Sequence, residues 1–244
     1  LPIIGGGFLE NYKNRLFEKI HGGLIVSCQA LSGEPLHGPE TMARMATAAM
    51  RGGAAGIRAN SVVDILAIRQ AVGLPLIGLI KEVYGDNPVY ITPTLREVEA
   101  LAESGADIIA MDATGRIRPG GGTIAELFPK IRSRYPEKVF MADCATVEDG
   151  LRAQELGFDC VGTTLAGYTD ETREQELPDF ALMRSLSGRL KIPVIGEGGI
   201  WSPEQLAEAF RQGIHCAVVG TAITRPMDIT RRFVAALPGK AEGS

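Results

Sequence analysis

The sequence predicts a (β/α)8 barrel, and three observations carry that expectation. A helical pattern that ends in glycine and gives way to a short apolar run recurs as ATAAMRGGAAGIRAN, ALAESGADIIAMDAT, RAQELGFDCVGTTLAG and EAFRQGIHCAVVGTAI. Further apolar runs between these units bring the total to about eight strands, apolar on both faces and alternating with helices, the pattern of a parallel sheet covered by helices. A length of 244 residues is ordinary for eight such units in one domain. A doubly wound open sheet is the alternative.

Residues 8–20 read as an extra amphipathic helix placed to cover the barrel floor, so 1–21 form an N-terminal extension and 22–244 the barrel. The strands then fall at 24–28, GIRAN, 76–80, IIAM, 139–142, CVG, 192–196 and AVVG. The helices that alternate with them fall at 39–51, 62–72, 94–104, 123–135, 147–156, 179–190, 203–212 and 226–237. Pro39, Pro203 and Pro226 suit a first helical turn, where the missing N–H costs nothing, and Ser202 suits the cap before Pro203. Gly52, Gly105, Gly157 and Gly213 suit a left-handed residue after a helix. The longest irregular stretch, AGYTDETREQELP at 166–178, is expected to be a functional flap rather than a solvated excursion.

Composition narrows the classes of function. A 45% hydrophobic and 22% charged chain is neither disordered nor a coiled coil. A formal net charge of -4 supplies no general basic surface for nucleic acid or an anionic membrane, which leaves a small molecule as the expected ligand. No apolar run reaches the roughly 18 residues of a membrane span, and the start lacks a basic flank leading into an apolar stretch. Cys28, Cys144, Cys160 and Cys216 are widely spaced, and with only His21, His37 and His215 no metal-ligand spacing arises. Reduced thiols and a cytoplasmic location are expected.

A barrel collects the carboxyl ends of its strands at one mouth, and here each apolar run ends in a polar residue. These are Gln29, Arg58, Lys81, Asp112, Asp143, Thr163 and Glu197, with Gly220 and Thr221 in the eighth position. Converging unlike charges point to catalysis on a small molecule. VIGEGGIWSPEQ and AVVGTAITRP follow the last two strands, where barrels of this class hold phosphate. Gly198, Gly199 and Gly220 would bring the backbone close, and Thr221 and Arg225 would add donors. A Lys81 partly desolvated beside Arg58 would have a lowered pKa, suited to proton transfer or to Schiff-base chemistry.

The stretches GGLIVSCQ, GIRAN, PLIGLIK, ITPTLREVEALAESGADIIAMDAT, MADCAT, GTTLAGYT, VIGEGGI and VGTAITRP resemble the bacterial N-acetylmannosamine-6-phosphate 2-epimerases from about Gly22 to the last helix. The resemblance implies a barrel that interconverts N-acetylmannosamine 6-phosphate and N-acetylglucosamine 6-phosphate in sialic acid catabolism, without metal or organic cofactor. It puts the family's catalytic lysine on Lys81 and its glutamate on Glu197. Gln29, Arg58 and Asp143 fall around the sugar, and Gly198, Gly199 and the segment from Gly220 to Arg225 fall at the phosphate. The GEGGI variant, where some relatives carry a bulkier residue, bears on packing of the phosphate loop.

Carbon 2 of the open-chain sugar is acidified by the C1 aldehyde, so epimerisation needs a base, a stabilised enolate and reprotonation on the opposite face. Lys81 is the expected principal acid/base, Arg58 the enolate stabiliser, and Glu197 a proton relay or second acid/base. Another phosphosugar isomerase, a Schiff-base aldolase and a non-catalytic sugar-phosphate binder are the competing expectations. A homodimer is the expected assembly.

Overall fold

The structure, a computed structural model, describes residues 6–238, within which eight parallel strands close into a barrel. The strands are β1 (Leu24–Cys28), β2 (Gly56–Asn60), β3 (Leu76–Leu79), β4 (Ile108–Asp112), β5 (Val139–Asp143), β6 (Cys160–Gly162), β7 (Val194–Glu197) and β8 (Cys216–Val219). Each pairs with the next, and β8 closes onto β1 with Leu24 opposite Ala217, so the open sheet is excluded. Among the described residues ten helices accompany them: α1 (Gly6–Ile20), α2 (Pro39–Arg51), α3 (Val62–Ala71), α4 (Leu95–Glu103), α5 (Ile124–Arg134), α6 (Val147–Leu156), α7 (Phe180–Arg189), α8 (Pro203–Arg211), α9 (Thr221–Thr224) and α10 (Pro226–Ala235). The predicted elements are all present, and α9 is an additional single turn.

Two apolar clusters account for strands without a polar face. Val26, Ile57, Ile109, Phe140, Val161, Val194 and Ala217 pack outward against the helices. The alternate positions Ile25, Ile77, Ile108, Val139, Cys160, Ile195 and Cys216 fill the barrel interior, where α1 adds Leu16 and Ile20 as a plug. The extra helix thus covers the floor, held also by Tyr12 donating to Asp107 at 3.0 Å and Lys13 paired with Asp159.

Local chemistry sets the element ends. Ser202 caps α8 by accepting from the Gln205 amide, and Thr94 and Thr146 form reciprocal capping boxes with Glu97 and Asp149. Gly105, Gly157 and Gly213 are left-handed at φ 85, 88 and 86° as expected. Gly52 is not: it ends α2 in right-handed geometry at φ −78°, and the left-handed turn falls one residue later on Gly53 at φ 95°. With two glycines in succession the helix runs one residue further before the chain reverses. Segment 166–178 is a series of turns whose Leu177 lies against Gly199 after β7. No helix among the described residues is long and apolar enough to cross a membrane.

Candidate active site

The strand ends open into a cavity of about 1070 Å³ lined by Gln29, Arg58, Lys81, Glu197, Gly198, Gly199, Gly220, Thr221 and Arg225 among others. Inward alternation along each strand explains their convergence. Gln29 follows Ile25 and Ser27, Arg58 follows Gly56, and Lys81 follows Ile77 and Leu79 at steps of two.

Arg58 is the centre of charge. Its Nη2 donates to Asp143 Oδ2 at 2.7 Å, its Nη1 donates to Asp143 Oδ1 at 3.1 Å, and Nη1 also stands 3.1 Å from Glu197 Oε2. Burial opposes its charge, but Asp143 and then Glu197 more than offset that and raise its pKa. Asp143 is fully buried and stands behind Arg58 rather than on the cavity wall. Glu197 has its pKa raised by burial, with the Asp143 charge adding and Arg58 opposing.

Lys81 is held from behind by its backbone, whose amide donates to Asn60 Oδ1 at 2.8 Å. The adjacent turn passes through Thr92 at φ 45°, an unusual conformation for a β-branched residue, fixed by Thr92 Oγ1 donating to Ala110 O at 2.6 Å. Nearby carboxylates are engaged by arginines, Asp143 and Glu197 by Arg58, and Glu34 and Asp228 by Arg225. Burial, then Arg58 and Arg225, lower the Lys81 pKa against the opposing pull of Glu197 and Asp143. A desolvated amine with a lowered pKa gives up its proton more readily than a free lysine, which suits it to proton transfer.

Gln29 Nε2 donates to Ser27 Oγ at 2.9 Å, while its buried Oε1 has no partner among the described residues. After β7, Gly198 and Gly199 adopt φ 111 and 69°, and they line the same cavity as Gly220, Thr221 and Arg225. A Cβ on Gly199 would run into Leu177, which explains why the smallest residue stands in this loop. Among the described residues no three His, Cys, Asp or Glu side chains gather as metal ligands.

Residues 42–238 match the family described as "Putative N-acetylmannosamine-6-phosphate epimerase". The chain belongs to this epimerase family. A relative from Caldanaerobacter subterraneus subsp. tengcongensis, named "Putative N-acetylmannosamine-6-phosphate 2-epimerase", is 52% identical over 90% of this chain and 92% of its own. One of the same name from Enterobacter sp. (strain 638) is 53% identical over 91% of this chain and 95% of its own. The solved N-acetylmannosamine-6-phosphate 2-epimerase from Clostridium perfringens superposes with a TM-score of 0.86 at 48% identity, covering 91% of this chain and 96% of that one.

Within this epimerase barrel two strand-end expectations are corrected. Asp112 does not join the mouth: it accepts from Arg116 Nη2 at 2.6 Å and from Thr114, and it does not line the cavity. Thr163 also turns away, its hydroxyl spanning the Glu197 backbone as donor to the carbonyl and acceptor from the amide. The residue at that strand end that reaches the site is Thr164, which the alternation Cys160, Gly162, Thr164 marks as inward. Arg232, over the Trp201 ring at 4.6 Å, is a further cation on the cavity wall that has no strand-end pattern to reveal it.

Proposed function

We propose that this epimerase interconverts N-acetylmannosamine 6-phosphate and N-acetylglucosamine 6-phosphate by moving the proton on carbon 2, with Lys81 as the principal acid/base. The observation that carries this reading is the Lys81 amine itself, on the cavity wall, its pKa lowered, and the surrounding carboxylates already taken by arginines. Removal of the C2 proton sends charge to the C1 oxygen, where Arg58 and the newly protonated Lys81 would stabilise it in a site of low dielectric. Arg58 is fixed in that role because Asp143 grips it from behind. Glu197, with a raised pKa, is suited to hold a proton for the opposite face or to relay one through a sugar hydroxyl.

The phosphate belongs at the loops after β7 and β8. Arg225, with the backbone at Gly198, Gly199, Gly220 and Thr221, supports a dianion there, and Gln29 would meet a sugar hydroxyl through its unpartnered oxygen. The mechanism uses no metal or organic cofactor. We place the activity in the cytoplasm on the strength of four buried, unpaired cysteines. We take the working assembly to be a homodimer, since α10 buries no residue and leaves Phe233 74% exposed beside Val234 and Leu237.

In D2O the enzyme is expected to place deuterium at C2 of the product. Lys81→Ala should lose both exchange and turnover, by about 10²- to 10⁴-fold. Lys81→Arg should fail equally, since a guanidinium keeps its proton. Near-normal C2 exchange in Lys81→Ala would remove Lys81 from this role.

A further inference from the structure

The two carboxylates of the site share one hydroxyl. Thr164 Oγ1 lies 2.6 Å from Asp143 Oδ1 and 3.0 Å from Glu197 Oε2. Space for this bridge comes from Gly162, where an added Cβ would stand 3.0 Å from Thr164 Oγ1 and would collide with Met141. A hydroxyl has one proton to donate and can otherwise only accept. Both carboxylates cannot therefore receive a bond from Thr164 at once.

Distance and charge decide which does. Asp143 is the ion partner of Arg58, accepting two guanidinium bonds, and at 2.6 Å it is the closer acceptor. With the Thr164 proton directed there, the oxygen turns a lone pair towards Glu197 Oε2. A charged oxygen facing that lone pair at 3.0 Å would be repelled, whereas a protonated one would donate.

Of the other groups around Glu197, the Arg58 and Lys81 charges oppose the acid form, and burial with the Asp143 charge outweighs them. Arg58 Nη1 directs its hydrogen bonds to Asp143 Oδ1 and Met141 Sδ, so its approach to Glu197 is a charge contact without a bond. Lys81 lines the same cavity, and Cys216 of β8 is a neutral thiol with its pKa pushed up to about 12 by burial. Burial and the Asp143 charge both favour the acid form of Glu197. Thr164 would pull Glu197 down only by giving it the proton that Asp143 holds.

We propose that Thr164 is a positioning residue that keeps Glu197 protonated in the free enzyme, accepting the Glu197 proton while donating its own to Asp143. When Glu197 passes its proton to the sugar, the hydroxyl turns from Asp143 to the new carboxylate, and Asp143 keeps both guanidinium bonds. Return of the proton to Glu197 turns it back. The chain of bonds thus lets Glu197 alternate between acid and base without leaving a buried charge unbonded in either state. The proton-holding role of Glu197 rests on the epimerase reading above, but its protonation in the free enzyme does not.

The test separates the two. The carboxyl carbon of Glu197 is followed by ¹³C NMR in the substrate-free enzyme, assigned by its loss in Glu197→Gln. Thr164→Val should lower its titration midpoint by roughly one pH unit, the worth of one hydrogen bond to the acid form. Thr164→Ser should restore it, and the limb of the kcat profile set by Glu197 should move with it while KM stays close to that of the parent. Should Thr164→Val not fold, Thr164→Ala gives the same comparison. A midpoint that stays or rises in the variant lacking the hydroxyl overturns the proposal, as does failure of serine to rescue. Wild-type enzyme that leaves C2 unlabelled in D2O would defeat the epimerase mechanism instead, leaving the free-enzyme titration to judge Thr164 alone.

Discussion

Arg58 and Asp143 are both buried, and Asp143 is the counter-charge that Arg58 grips with two hydrogen bonds. Asp143→Ala leaves a buried guanidinium with only the off-line contact to Glu197, and stability should fall by about 3–5 kcal/mol, read as a lower urea midpoint. Arg225 is a different case, partly exposed and paired with Glu34 at 3.1 Å. Arg225→Ala should cost little stability but raise KM for the phosphorylated sugar strongly, while unphosphorylated N-acetylmannosamine reacts no worse than before. Equal losses for both sugars would assign Arg225 to structure alone. Arg58 was legible as a strand-end residue and Arg225 from the GTAITRP segment beyond the last strand. What strand ends do not reveal is which way a charge is drawn. Asp112 and Asp143 are register partners on β4 and β5, yet Arg116, four residues on, takes Asp112 out of the site. Thr164 was missed because the apolar run stops at Gly162, although the two-residue period carries on into the loop.

At the scale of elements the glycine after α2, α4, α6 and α8 was the most informative letter, since a left-handed residue ends a helix where the next strand must begin at once. Gly53 in place of Gly52 shows its limit: in a pair of glycines, sequence does not say which residue turns. The loop after β6 was legible as an excursion, but not its contact with the loop after β7. Gly199 joins them, at φ 69° with Leu177 where a side chain would begin and the backbone of Leu177 and Pro178 at 3.1 and 3.2 Å. Gly199→Ala must displace segment 166–178 as well as strain its own backbone. We expect about 1–2 kcal/mol of destabilisation and a rise in KM that exceeds the fall in kcat, because the displaced loops border the proposed phosphate site. A variant with parent-like KM would show that the two loops act independently.

For the whole molecule, closure joins the floor of the barrel to its chemistry through one continuous interior, so what holds α1 in place bears on the stability of the site above. α1 is fastened beside β8, where His215 Nε2 donates to the Phe17 carbonyl at 2.9 Å and the Gly22 amide donates to the His215 carbonyl at 2.8 Å. A carbonyl only accepts, so the neutral ring carries its proton on Nε2. His21 stacks edge-on at 4.8 Å, and Phe17 lies edge-on at 5.8 Å. Burial, then His21, lower the His215 pKa from its ordinary 6.5, against the help of the Phe17 bond. The folded state therefore binds this proton more weakly than the unfolded chain does. Its contribution to stability is complete above about pH 6.5 and is lost as the pH falls through the depressed folded value. Buried Asp64, Asp112 and Glu197 have raised pKa values and work in the opposite sense, so the histidine must be isolated by substitution. His215→Gln retains a donor for the Phe17 carbonyl without a titrating ring. Between about pH 7.5 and about pH 5.5 the parent should lose more Tm than His215→Gln does, with the difference appearing first as faster amide exchange in α1. Parallel losses in the two proteins would show that the floor does not titrate through His215.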